Sequence, residues 1–494
     1  MTTGGIFTLV SNDGRQDKML MATSLLNDRL KEIRRMRCKN PGIKDATPTL
    51  VDIERTHILF INSHFKPFAA IAYEYDFIGP QEGTPQLGGT TSFSIPQFGD
   101  FFNDMVVHCV LEGFTAAVPG DQVHFAEFLG HRLFKETVFE VNRNILDSYD
   151  SDVYNMHYNF FVPEYNRTNW KRCVGQEVPK RAILTQNLGV DPYREEKYIL
   201  DGPQTPKGTH DRVELWMPLL FWFNKDPRLA IPSVSIPFGQ RFITIELANA
   251  AEICFGVNNG GGGGFIAPRV STFNLHINNI FVMPEIHDIF IKRVGFSLIR
   301  VHRSERRGLD TGADQILLDS LRWPVETLYF GVKPDANVGT QDDWHKFHLT
   351  TDQLVPYPVA IPTPVPPPSD QFAFSDATYK TETPMVDTIR FRVQAVDLYR
   401  STPVGFFNSY IPYTYGGANI GSPVDIGMYM AGFNFYPGAY QPSGHVNLSR
   451  TREFFFEYTS NVLTPLVPGQ LLVIAITINF LLISDGGAVL RYNT

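Results

Sequence analysis

The sequence predicts an all-β protein made of two similar sandwich domains in tandem. Three observations carry that expectation. Residues Phe273 to Val282 form a short run of β-branched and aromatic residues without three-four helical spacing, followed by Pro284. The chain closes in the same way, with VIAITINFLLI at 473–483, then Ser484-Asp485-Gly486-Gly487 and a last short strand through Val489 and Leu490. Aligned on Ile277-Asn278 and Ile478-Asn479, the two endings read as one design used twice. The third observation is composition: 39 Phe, 35 Pro and 39 Gly with only 19% charged residues favour many short strands joined by many turns.

In chain order, residues 1–50 read as an N-terminal arm. Within it MLMATSLLNDRLKEIRRMR (19–37) sets Leu26, Leu30 and Ile33 on one helical face, with Lys31, Arg34, Arg35 and Arg37 mostly elsewhere. Such a segment packs on its own domain or reaches a neighbouring subunit, an inner protein or an anionic membrane surface. Strands are expected from HILFINSHF at 57–65 and AAIAYEYDF at 69–77, then at Thr91–Ile95, Met105–Leu111, Leu133–Val141 and Val153–Val162. Residues 163–212 read as a long polar loop. WMPLLFWF (216–223), VSIPF (234–238) and RFITIEL (241–247) follow, and the five glycines Gly260–Gly264 read as a mobile loop tip. The first domain is therefore 51–292.

Residues 293–315 are expected as a linker, on the strength of the charged, glycine-containing HRSERRGLDTGADQ at 302–315. The second domain, 316–494, opens after a possible helical turn near 315–321 with VETLYFGV (325–332). It carries seven prolines between Val355 and Ser369 as a stiff loop, and resumes strands at Thr388–Leu398, Met428–Phe435, Phe454–Tyr458 and Leu471–Ile483. No long amphipathic helix is expected after residue 37.

Function classes fall away in turn. A net charge of −8 argues against a dedicated nucleic-acid binder. Cys38, Cys109, Cys173 and Cys254 form no CxxC pair, so free thiols are expected rather than a zinc or disulfide framework. The start MTTGGIFTLV lacks a signal peptide's charged end and apolar core, and the apolar run Leu471–Ile483 is too short to span a bilayer as a helix. A soluble chain made in the cytosol is the expectation. No nucleophile elbow, Walker A loop or H-E-x-x-H motif occurs. His345 and His348 could share a metal only with a third ligand, which the nearby sequence does not offer. No catalytic, cofactor-binding or metal-binding residue is assigned, and no enzyme is expected.

Several stretches nevertheless form a recognisable series: PQFGDFF (96–102), VGQEV (174–178), GPQTPK (202–207), FWFN (221–224), AIPSVSIPFG (230–239), FSLIRVH (296–302), DWHKF (343–347), QPSGH (441–445) with Ser449-Arg450, and AVLRY (488–492). In this order they resemble the major capsid proteins of the nucleocytoplasmic large DNA viruses, above all the asfarvirus-like ones of African swine fever virus and its relatives. The resemblance runs from end to end, with shorter loops around 112–130, 163–212 and 335–385. It implies a double jelly roll, two tandem eight-stranded sandwiches with a partly helical arm. It also implies a homotrimeric, pseudo-hexagonal capsomer tiling an icosahedral shell. The implied partners are neighbouring trimers, penton and minor capsid proteins, and inner membrane or inner proteins through the arm, in a virion assembled in host cytoplasm. A carbohydrate-binding β-sandwich on the virion surface is the alternative, and would need exposed aromatics beside Asp or Asn in a loop groove.

Overall fold

The computed structural model describes residues 71–491 apart from 82, 189–190, 237–239, 259–262, 283–294, 360–372, 418, 452 and 485–486. The arm over 1–50, its expected helix and the strand expected at 57–65 lie outside the described residues.

Eight strands build a first sandwich: β1 Ile71–Ile78, β2 Thr90–Ser94, β3 Phe101–Leu111, β4 Phe134–Val141, β5 Asn144–Asp150, β6 Val213–Pro218, β7 Arg241–Leu247 and β8 Val270–Val282. Eight more build a second: β9 Gly295–Leu309, β10 Ala313–Leu317, β11 Pro324–Pro334, β12 Thr388–Val393, β13 Val396–Pro403, β14 Met428–Gly432, β15 Phe454–Thr459 and β16 Gly469–Ser484. The sheets of the first run β1-β8-β3-β6 and β2-β7-β4-β5, and those of the second β9-β16-β11-β14 and β10-β15-β12-β13. Adding eight to every label turns the first pair of sheets into the second. Antiparallel strands that wrap between two facing sheets in this order are a jelly roll, so the fold is a double jelly roll.

The alternation of side chains decides which face is core. In β7, Arg241, Ile243, Ile245 and Leu247 are buried and the residues between them are half-buried. In β8, Phe273, Leu275 and Ile277 point into the first core, with Val107 and Cys109 of β3. The second core gathers Phe330, Phe391, Phe407 and Phe456 around T-shaped ring contacts of 5.2–6.3 Å.

Several expectations are corrected. The linker 293–315 is instead mostly strand: β9 pairs along its whole length with β16, from Gly295↔Ile483 to Leu309↔Gly469. Its charges hid the alternation, because Arg306 and Arg307, although exposed, are held by carboxylates. The helical turn near 315–321 is replaced by β10. Val153–Val162 is not a strand but lies in a helix, α1 Ser151–Phe160. Asp150 caps it by accepting from the amides of Asp152 and Val153, a start signal that the aromatic content masked. The loop 163–212 contains a second helix, α2 Glu164–Cys173, and the hairpin Lys180–Leu188 with Asp191–Ile199. The run 216–223 ends as a strand at Pro218 and becomes a helical turn at Trp222–Lys225, and Ser233–Ser235 is a 3₁₀ turn. Thr388–Leu398 breaks at Gln394, whose φ of 53° turns β12 into β13.

The Ile-Asn pairs that suggested the repeat are one residue out of step. Ile277 faces the core, whereas Ile478 lies opposite Arg300 on the outer face of its sheet. A one-residue shift exchanges the two faces of a strand. The duplication is real at the level of strand order, not of those two dipeptides.

Candidate assembly surfaces

Edge strand β5 and helix α1 of the first sandwich lie against the outer face of sheet β9-β16-β11-β14. At the centre of this seam the Asp147 carboxylate accepts from the His302 amide (2.8 Å) and faces His302 Nδ1 at 3.0 Å, both residues being buried. Burial holds the His302 imidazole below its ordinary range and outweighs the pull of Asp147. His302 therefore stays neutral at pH 7, with the proton placed on Nδ1 by its carboxylate partner.

One turn along, Asp150 and Asp152 receive Arg306 Nη2 at 2.6 and 2.8 Å, and Lys333 Nζ reaches the other oxygen of Asp152. Burial pushes the Asp152 carboxyl up, but Lys333 and Arg306 outweigh it and hold it below the usual range. Asp150 thus ends a strand, caps a helix and crosses to the second sandwich. Around this polar line, Phe160 and Phe161 pack on Tyr329 with ring centroids 4.9 and 5.3 Å apart. Trp344 Nε1 donates to the Glu127 carbonyl, Arg132 donates to the Thr340 carbonyl, and Asn159 accepts from the amides of Val424 and Asp425. Partnered charges inside an apolar rim favour one relative placement of the two sandwiches over sliding alternatives.

A cavity of 410 Å³ lies in the seam between Trp222, Tyr329, Arg300 and Lys225. Lys225 is open to water within the cavity while protein surrounds it. This enclosure lowers its ammonium to about 8, and it sits 5.4 Å from the Phe161 ring. Arg300 is committed to Glu326.

The corresponding outer face of the first sandwich is open. On β1, Tyr73, Tyr75 and Phe77 are 69%, 52% and 60% exposed, and beside them His108 stacks on Trp216 with centroids 4.1 Å apart. His276 joins both Trp216 and Phe77. These aromatics lie on a flat sheet face, not in the loop groove a sugar-binding reading requires.

The structure does not bring His345 and His348 to a common point. His348 Nδ1 pairs with Asp425 at 2.8 Å, whereas His345 packs on Phe128. Among the described residues no group of three or more His, Cys, Asp or Glu side chains could hold a metal ion. Cys109, Cys173 and Cys254 are free thiols, and Cys38 lies outside the described residues. Of the Gly260–Gly264 run, Gly263 donates its amide to the Gly256 carbonyl, and Gly260 to Gly262 lie outside the described residues. The seam residues escaped sequence reasoning because their partners are about 150 to 270 positions apart in the chain. One usable signal was the Asp150-Ser151-Asp152 triplet before an aromatic run.

Residues 68–281 match the family model for the major capsid protein N-terminus, and residues 281–489 the model for the large eukaryotic DNA virus major capsid protein. A major capsid protein of African swine fever virus is 34% identical, with 100% of each chain covered. That alignment spans 653 positions, so the relative carries segments that this 494-residue chain lacks. The solved Faustovirus major capsid protein is 37% identical with a TM-score of 0.75, over 96% of this chain and 100% of that one. PBCV-1 VP54 shares the fold at 19% identity, with a TM-score of 0.62 over 88% of this chain and 100% of that one.

Proposed function

Because the chain belongs to the major capsid proteins of the large eukaryotic DNA viruses, we infer that it works as a homotrimeric capsomer. One observation carries this reading: a single strand order is used twice in the chain. Two similar wedges in each of three chains give six, so a three-fold object acquires a nearly hexagonal outline that tiles a flat facet of an icosahedral shell. The protein acts by shape and burial, without a reaction step. Its partners are its own copies, then neighbouring trimers and the penton and minor capsid proteins. The basic arm within 1–50 reaches inner proteins or the inner membrane, and assembly takes place in the host cytoplasm before the protein is fixed in the virion.

Light scattering on the purified protein tests the trimer. One species near ~168 kDa, three times 55.9 kDa, is expected, and a clean monomer at all concentrations contradicts it. A chain lacking residues 1–40 tests the arm. It should form trimers yet fail to build closed particles, and normal maturation of that chain would remove the arm's role.

A further inference from the structure

The cavity in the seam is walled by both sandwiches. Phe161, Trp222 and Leu229 come from the first, Tyr329 and Ile476 from the second, and Tyr440, 42% exposed, stands where the cavity meets solvent. Its 410 Å³ lies within the range of about 300–1,000 Å³ usual for small-molecule sites, which are mostly apolar with a few placed polar groups. Most charged groups on its wall are committed. Glu326 is held by Arg300 and Asp226 by Arg228 at 2.5 Å, while Asp104 accepts from the Tyr75 hydroxyl at 3.0 Å and from Asn224 Nδ2 at 3.1 Å. His302 is tied to Asp147 and, like His157, is kept below its ordinary range by burial, so both are neutral at pH 7. Lys225 is the exception. Among the described residues its ammonium has no hydrogen bond and no ion pair, only the Phe161 ring at 5.4 Å.

We propose that this cavity binds a carboxylate with an apolar body, the carboxylate paired with Lys225 and the body lying between Trp222, Phe161 and Tyr329. An enclosed ammonium has given up water without gaining a partner, and the pull of burial on its proton, down to about 8, is the mark of that cost. A bound anion restores the missing partner. One ammonium suits one negative charge. A phosphate calls for a fork of donors, and Glu326, Asp104 and Asp226 around the wall repel a dianion. A cationic amphiphile is disfavoured, because each of those carboxylates already has its donor. The ligand touches both sandwiches at once, so its binding ties them together and raises the melting temperature. The site is complete within one chain and does not depend on the oligomer.

Titration calorimetry on the full chain tests this with two probes, decanoate for an alkyl body and 1-naphthoate for a ring. At least one should bind saturably, one per chain, and raise the melting temperature, and the tighter of the two names the body. The matching alcohols, decanol and 1-naphthalenemethanol, should bind roughly tenfold more weakly or worse, since they leave Lys225 unpaired. Lys225→Met should weaken carboxylate binding by roughly tenfold or more without lowering the melting temperature of the ligand-free chain, because it removes an enclosed charge. Leu229→Trp, which fills the cavity and keeps the lysine, should weaken binding as well. Affinity for the parent should be flat below about pH 7 and fall about tenfold per pH unit above about pH 8, because the ammonium must hold its proton to pair. Lys225→Met should show no such slope. Absence of saturable binding by both probes, or a Lys225→Met chain that binds as tightly as the parent, would overturn the proposal. So would unchanged binding by Leu229→Trp, which puts the amphiphile on another apolar surface.

Discussion

Strands β3 and β11 hold the same place in their sandwiches, yet they are buried differently. β11, PVETLYFGVKP, is buried at every position, because its inner face lines the second core and its outer face lies under the first sandwich. β3, FFNDMVVHCVL, alternates along its middle, with Asp104, Val106 and His108 half-buried on the open face. Composition does not separate them, since each carries three polar residues: Glu326, Thr327 and Lys333 in β11, and Asn103, Asp104 and His108 in β3. In β11, Glu326 and Lys333 are buried with Arg300 and Asp152 as partners, whereas in β3 Asp104 and His108 lie on the open face. The lesson is that a strand's burial, more than its composition, records everything that covers it, including contacts far outside its own sheet.

The largest effects should come from the cores, where the two sandwiches are equals. Phe102 in β3 meets Phe139 and Phe223, and Phe330 in β11 meets Phe391, Tyr429 and Phe456, all without solvent exposure at the two phenylalanines. Phe102→Ala and Phe330→Ala should each cost about 3–5 kcal/mol by denaturant melting of the monomer. A large loss at one and none at the other would break the equivalence of the two frameworks.

The seam inside the chain should come next. Asp152→Ala strands the buried Lys333 ammonium beside a helix start and leaves Arg306 with Asp150 alone. The expected loss is about 3 kcal/mol, read by the same melts. A stable variant would mean that the two sandwiches are not locked by these charges.

Acid sharpens the contrast further. His131 is fully buried in the first sandwich, with Nδ1 against Asn155 Oδ1 and Nε2 accepting from Trp170 Nε1. Burial pulls its imidazole down to about 4. A depressed value means that the unfolded chain takes up the proton first, so stability is full above about pH 6.5 and is lost as pH falls towards 4. The loss is about 3 kcal/mol across that window, and His131→Gln should flatten the melting-versus-pH curve by about one proton. Burial also depresses His157, His302 and His345, so the parent curve should be steeper than one histidine explains. A flat curve in the parent would contradict these placements.

The smallest effects belong to the connection between β7 and β8, which is longer than its counterpart between β15 and β16. A Cβ on Gly256 would sit 2.0 Å from the Gly263 carbonyl oxygen, so Gly256→Ala should cost about 1–3 kcal/mol. Replacing Gly260–Gly264 with a short Ser/Asn linker should leave assembly intact in a sizing experiment. Loss of assembly on that exchange would show the run packed at an interface.

Much of the framework was legible in the sequence. RFITIEL at 241–247 and FFFEY at 454–458 alternate cleanly because one face is core and the other is not. Legibility failed where tertiary partners overrode local signals. Residues 302–309 looked like a charged linker because their partners Asp150, Asp152 and Asp319 come from elsewhere in the chain. The helix 151–160 looked like a strand because its aromatic residues are buried on nearly every side, which erases helical amphipathicity. The strand over AAIAYEYDF was legible, but not the outward placing of Tyr73, Tyr75 and Phe77, since spacing alone does not tell an inward tyrosine from an outward one.

The central claim is that one strand order, used twice in each chain, lets three chains present six similar sandwiches. Single-particle images of the purified oligomer test it most directly. The account expects end-on views with six lobes of nearly equal spacing and strict three-fold symmetry. Three separated two-lobed bodies without a six-lobed outline, or a two-fold particle, would contradict it.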